Sequence, residues 1–177
     1  MSKVIEIDLS DAGIKSLQKQ LKDYDKWIKA KTDELCKRLA EYGVERAEVY
    51  FGYAEYDGIN DVTVEPAKQQ GKNCYVVKAS GTAILFIEFG TGVHYPDAPL
   101  DEYIGAEGMV HGSYGRGLGN NDYWFYTGQP GNAGGTLANG RTNTTITHGN
   151  QANMPMYYTK KDVEAIIPRI VKEVFKS

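Results

Sequence analysis

The chain has 177 residues, 41% of them hydrophobic and 24% charged, which suits one domain with its own core and is too apolar for a disordered chain. A formal net charge of −3 and a pI near 5.6 leave no electrostatic footprint for nucleic acid, which calls for a basic face. Two cysteines, Cys36 and Cys74, are too few for a disulfide framework and read as small apolar thiols.

Residues 4–9 alternate Ile5, Ile7 and Leu9 with Glu6 and Asp8, so a short strand with one wet face is expected. The opening residues carry no apolar secretory core, and no run approaches a membrane span, so the expectation is a protein made and kept in the cytosol or in something assembled there. Ser10 or Asp11 then caps a helix whose apolar positions are Ile14, Leu17, Leu21, Tyr24 and Ile28, a single stripe that resumes at Leu35, Leu39 and Tyr42. A bend near Asp23–Asp25 is expected to divide it into two helices, with one long helix as the alternative. The stripe is heptad-like, so it fits a coiled coil as well as a helix laid on a sheet, and the sheet is the expected cover.

Gly52, Gly58 and Asn60–Asp61 break the helical pattern. Val62–Glu65 begins β structure, which Pro66 is expected to end at an edge. Residues 70–73, Gln-Gly-Lys-Asn, signal a turn, and residues 73–79 a second strand. Ser80–Gly81 is read as a tight hairpin turn into a third strand, Thr82–Phe89, whose Ile84, Leu85, Phe86, Ile87 and Phe89 form the most apolar run of the chain. The centre is therefore expected to be a three-stranded meander that needs a cover.

From Asp97 the texture changes. Most of the 20 glycines lie beyond residue 90, mixed with aromatics and with acids that face a single Arg116 up to residue 126. Residues 122–127 are read as a strand, and residues 128–153, rich in Gly, Asn and Thr, as a long loop or extended hairpin. Thr159 followed by Asp162 reads as a helix N-cap. Val163, Ile166, Ile167, Ile170, Val171 and Val174 give the helix a dense stripe, against which Pro168 predicts a kink or restart.

Catalytic signals are sparse. His94, His111 and His148 lie far apart in Gly-rich surroundings, without the spacing of a helical or finger-type zinc site. Residues 115–119, Gly-Arg-Gly-Leu-Gly, loosely resemble a phosphate-cradling loop but lack a preceding buried strand and a following helix. There is no serine elbow, and neither cysteine has a histidine nearby in sequence. Glu88, alone in its apolar run, has two readings: a catalytic acid, or an acid that meets water or a basic partner, which is the expected one. The aromatic cluster at 123–126 reads as a contact surface for sugar or protein, or as ordinary strand packing.

Two phrases carry a resemblance. Residues 86–92, Phe-Ile-Glu-Phe-Gly-Thr-Gly, and residues 153–158, Asn-Met-Pro-Met-Tyr-Tyr before an amphipathic helix, together resemble the neck or tail-completion family of long-tailed bacteriophages, which includes head–tail joining and minor tail components. The resemblance covers about residues 10–96 and 150–177. It implies an α+β fold, a homo-oligomeric ring, commonly of six subunits, at the junction of capsid and tail, and no catalysis, cofactor or metal. It further implies a place in the virion after assembly in the host cytoplasm, other neck, portal-side or tail-tube proteins as partners, and DNA only as passing cargo. This chain departs from the family by its long segment from Asp97 to Asn150.

The resulting expectation is a single α+β domain over residues 1–177, with a small antiparallel sheet packed against N-terminal helices and a C-terminal helix. Residues 97–150 form an inserted Gly/Tyr/Asn-rich extension. Candidate subunit-interface residues are Glu88, Phe89, Gly90, Thr91, Gly92, Tyr123, Trp124 and Tyr126. A module that binds carbohydrate or a surface protein through the aromatic extension is the alternative, and a small hydrolase near Glu88 and His94 is a third reading.

Overall fold

The computed structural model describes residues 10–92, 123–150 and 152–176. The strand expected at residues 4–9 lies outside these residues, as do His94, His111 and the loop at 115–119. The fold is α+β: a long N-terminal helix and a C-terminal helix packed with small antiparallel sheets.

Helix α1, Asp11–Gly52, is one continuous element of 42 residues, about 63 Å long at 1.5 Å per residue. The side chain of Ser10 caps it, with Gly13 N donating to Ser10 Oγ at 3.2 Å. The bend expected near Asp23–Asp25 is absent. Aspartate is only a mild helix opponent, and Asp25 pairs with Lys29 one turn on, which supports the helix where it was expected to break. Further i,i+3 and i,i+4 pairs, Lys31–Glu34 and Lys37–Glu41, continue that support.

Strands β1 (Thr63–Gly71) and β2 (Cys74–Ser80) form an antiparallel hairpin whose turn is closed by Asn73 in the left-handed region, φ 55°. Pro66 does not end β1. The register shifts between Glu65 and Lys68, so the proline sits in a bulge, where its missing N–H costs the ladder nothing. Val64, Val77 and Ala79 pack on Ala47, Phe51 and Ile87 to make the main core. The sheet is tied to α1 a second time at Asp33, which accepts hydrogen bonds from Gln69 Nε2 and Tyr75 OH, both at 3.0 Å.

The expected third strand is a helix. Ile84–Phe89 forms α2, so among the described residues the central sheet has two strands, and Ser80–Gly81 leads into a helix rather than turning a hairpin. A short apolar run has no periodicity that separates a buried strand from a buried helix. What decides here is remote. Asp61, 21 residues upstream, accepts from Thr82 N at 2.8 Å, Thr82 Oγ1 at 2.6 Å and Ala83 N at 2.9 Å. These bonds satisfy the donors of the turn that starts α2, and they hold the Asp61 carboxyl at about 2 against an ordinary 3.8. Ala83 and Ile87, one turn apart, then bury against α1.

A two-residue strand β3 (Thr91–Gly92) pairs with β7 (Gly149–Asn150). Between them in sequence, β4 (Trp124–Thr127), β5 (Thr136–Leu137) and β6 (Thr144–Thr147) form an antiparallel sheet in the order β4-β6-β5. The strand expected at 122–127 is thus found, and residues 128–153 fold back on it as a hairpin with one added short strand.

Helix α3, Pro155–Lys176, runs antiparallel to the second half of α1. Phe175 meets Trp27, Arg38 pairs with Glu173 at 2.6 Å, and Asp162 accepts from Arg46 Nε at 2.6 Å and from Tyr50 OH at 2.9 Å. The helix starts four residues before the expected Thr159 cap. Proline favours a first helical position, because its missing N–H is not needed there. Thr159 is instead buried within the helix. The helix also runs through Pro168 without restarting; Pro168 and Glu164 are both exposed, so water can take the carbonyl that the proline leaves unpaired. No helix among the described residues is long and apolar enough to cross a membrane.

Candidate assembly site

The two phrases that carry the family resemblance meet in space, although 60 residues separate them in sequence. Helix α2 ends at Gly90, φ 73°, with its last carbonyls unpaired within the helix. The chain leading into α3 supplies the missing donors: Asn153 N to Ile87 O at 2.9 Å and Met154 N to Glu88 O at 3.2 Å. The Asn150 side-chain amide adds a bond to Phe86 O at 3.2 Å. In return, the Glu88 carboxylate accepts from Met156 N at 2.9 Å and Tyr157 N at 3.1 Å, in the first turn of α3. Each helix thus satisfies the open end of the other, and a negative group sits at the positive end of the α3 dipole. Phe89 and Met154 bury together beneath this joint, with Ala152 and Tyr157 against them.

The expectation that Glu88 meets water or a basic side chain is therefore not met. Glu88 is 4% exposed, and both its oxygens are held by backbone N–H groups. Burial pushes its carboxyl above the ordinary 4.5, while the Met156 and Tyr157 N–H groups pull it the other way.

A second set of bonds seats the extension on residues 54–58. The Asn132 amide spans this segment, accepting from Tyr56 N at 2.7 Å and donating to Ala54 O at 3.3 Å, while Asn132 N donates to Tyr56 O at 3.0 Å. Asn153 does the same beside it, accepting from Glu55 N at 2.8 Å and donating to Glu55 O at 2.7 Å. Two asparagine side chains thus stand in for a neighbouring strand. Gly131 is required by closeness: a Cβ there would overlap the Tyr56 carbonyl oxygen and the Gly58 backbone. Gly135 N donates to the buried Asp57 carboxylate at 2.8 Å.

Seated in this way, the extension presents an aromatic face to solvent. Tyr123 and Phe125 are exposed and meet edge to face at 5.9 Å. His148 lies 6.2 Å from Tyr123, the Arg141 guanidinium stands 5.2 Å over the Phe125 ring, and Ile146 is the cross-strand partner of Phe125.

The candidate interface residues fall into three groups. Glu88, Phe89 and Gly90 are interior to the joint, and Thr91 and Gly92 pair through their backbones with Asn150 and Gly149. Tyr126 is half-buried, its hydroxyl donating to Gln129 O at 3.0 Å, and Trp124 stands opposite Thr147 in the register. Tyr123 is exposed. Phe125, part of the aromatic cluster but not among the expected interface residues, shares the exposed face with Tyr123, as period-two alternation requires. Asp61 and Asn132, which no local pattern singles out, are further residues that hold this region, and Asn153 joins them from within the second phrase. Among the described residues, no three His, Cys, Asp or Glu side chains group as metal ligands. Comparison with protein-family models, with curated proteins and with solved structures gave no match for this chain.

Proposed function

We propose that the chain is a structural subunit of a phage head–tail junction or tail end, a neck or tail-completion protein that works as a homo-oligomeric ring in the virion. The observation that carries this reading is the reciprocal joint. The two phrases quoted for the family are the two halves of one hydrogen-bonded unit, held by Glu88 on the α3 amides. A ring subunit has to present a fixed edge to its neighbour, and a joint that closes both helix ends fixes the base of the extension. The aromatic face at Tyr123, Phe125, Ile146 and Arg141 has the composition of an interface centre, aromatics with arginine, and is the surface offered to a neighbouring subunit or to another neck, portal-side or tail-tube protein. DNA is cargo in this reading, and the subunit's mild acidity avoids gripping it.

Sedimentation velocity and negative-stain microscopy over a range of concentrations test this. Rings that form with rising concentration, and that are lost in Tyr123→Ala/Phe125→Ala while the circular-dichroism melt is retained, are the expected result. A chain that stays monomeric at every concentration and does not bind isolated phage necks or tails would overturn it. The same exposed aromatics favour a second reading, a carbohydrate-binding module. Glycan binding that is lost on Phe125→Ala, without any assembly, would select that one.

A further inference from the structure

Among the described residues, the first half of α1 carries an apolar stripe that is largely left exposed; within it only Tyr24 has a ring contact, stacked on Trp27 at 5.6 Å. Ile14 is 41% exposed, Leu21 51%, Tyr24 55% and Ile28 38%, with Leu17 half-buried between them. Helix α3 ends beside Trp27, where Phe175 meets the indole edge-on, and Ile14, Leu17 and Leu21 lie N-terminal of that contact. The hairpin expected to cover it hydrogen-bonds α1 at Asp33, C-terminal of the stripe.

We infer that this stripe pairs with the same stripe of a second copy of the chain, helix against helix. Three features point to a copy. The spacing of residues 14, 17, 21, 24 and 28 is three, four, three, four, the narrow a/d seam that supercoiled helices bury against one another. The positions flanking the seam, Gln18, Gln20, Asp25 and Trp27, hold one charge, which is already paired with Lys29, so two identical seams approach without like-charge repulsion. The lysines, Lys15, Lys19, Lys22, Lys26 and Lys29, all lie on the outer b and f positions, away from the seam. The seam is about 21 Å long and about two heptads. The contact is therefore weak alone, and it is separate from the ring surface proposed above.

The test is cysteine cross-linking of the full chain in a Cys36→Ser/Cys74→Ser background. Leu21 is the centre of the seam, so Leu21→Cys meets its own copy whether the helices run parallel in register or antiparallel. Lys22→Cys, on the outer face, is the control. Under mild oxidation Leu21→Cys is expected to give covalent dimer at least tenfold faster than Lys22→Cys, and the added substitution Ile14→Lys/Ile28→Lys to abolish that difference. Equal rates, or no dimer, overturn the inference. So does a dimer that appears only after deletion of residues 1–9, which would make that segment the occupant, or flotation with anionic phosphatidylserine vesicles that Ile14→Lys/Ile28→Lys abolishes, which would make it a lipid surface. Rings without a Leu21→Cys dimer would defeat this inference alone, and a Leu21→Cys dimer without rings would defeat the ring reading alone.

Discussion

Replacing Glu88 by alanine tests whether the joint holds the fold together. The substitution leaves Met156 N and Tyr157 N without their acceptor beneath a surface where Glu88 is 4% exposed. A buried donor left unpaired costs about 1–3 kcal/mol, and the two here are neighbours that one water could partly serve, so about 2–3 kcal/mol is assigned to the pair. The lost side-chain methylene packing adds about 1 kcal/mol. Relief of the carboxylate's own desolvation, the cause of its raised pKa, offsets part of this. The expected net loss is about 2–3 kcal/mol, or roughly 5–10 °C in Tm for a chain of this size. Urea and thermal unfolding, followed by far-UV circular dichroism, measure it. Amide exchange localises it, with Met156 and Tyr157 losing protection before the middle of α3. A cost below about 0.5 kcal/mol, with those amides still protected, would refute the claim that Glu88 organises the start of α3.

The pH dependence of the milder Glu88→Gln variant carries the sign of the shift. A carboxyl raised on folding supports stability most at or below 4.5 and loses that support as pH rises through its folded value, so the penalty of Glu88→Gln should shrink from pH 4 to pH 7 in urea titrations. Asp61 has the opposite sign. Its support is present above 3.8 and lost as pH falls toward about 2, so Asp61→Asn should cost about 1 kcal/mol at pH 7, kept small by solvent exposure, and converge with the parent chain near pH 2. Gly131→Ala should cost about 1–3 kcal/mol and expose residues 123–150 to limited proteolysis, because the added carbon overlaps backbone that cannot move aside. Pro168→Ala should raise stability by about 1–3 kcal/mol in the same unfolding assay, since the proline sits inside a continuous helix on its wet side.

The helices were legible in the sequence because each repeats an apolar position many times; Ser10 as the start of α1 and the stripe from Val163 to Val174 needed nothing beyond spacing. The hairpin was legible from its turn, with Asn73 where a left-handed residue is required. Ile84–Phe89 was not, because six apolar residues fit a strand and a helix equally, and the deciding carboxylate of Asp61 lies outside any local window. The role of Glu88 was hidden for the same reason. An acid in an apolar run announces that it needs a partner, but the partners are backbone amides near residue 156 that carry no side-chain signature. The extension looked like a loop because it has little apolar content, and its order comes from Asn132, Asn153 and Gly131 on the backbone of residues 54–58 and from Gly135 on the Asp57 carboxylate.

The mutual capping of α2 and α3 also sets an order of events during synthesis. Glu88 leaves the ribosome 68 residues before the amide it will hold, and α2 is too short to persist in water by its own hydrogen bonds. Asp61 and α1 are already in place to hold the start of α2, but its last carbonyls and the Glu88 carboxyl wait until Asn153 to Tyr157 emerge and close the joint.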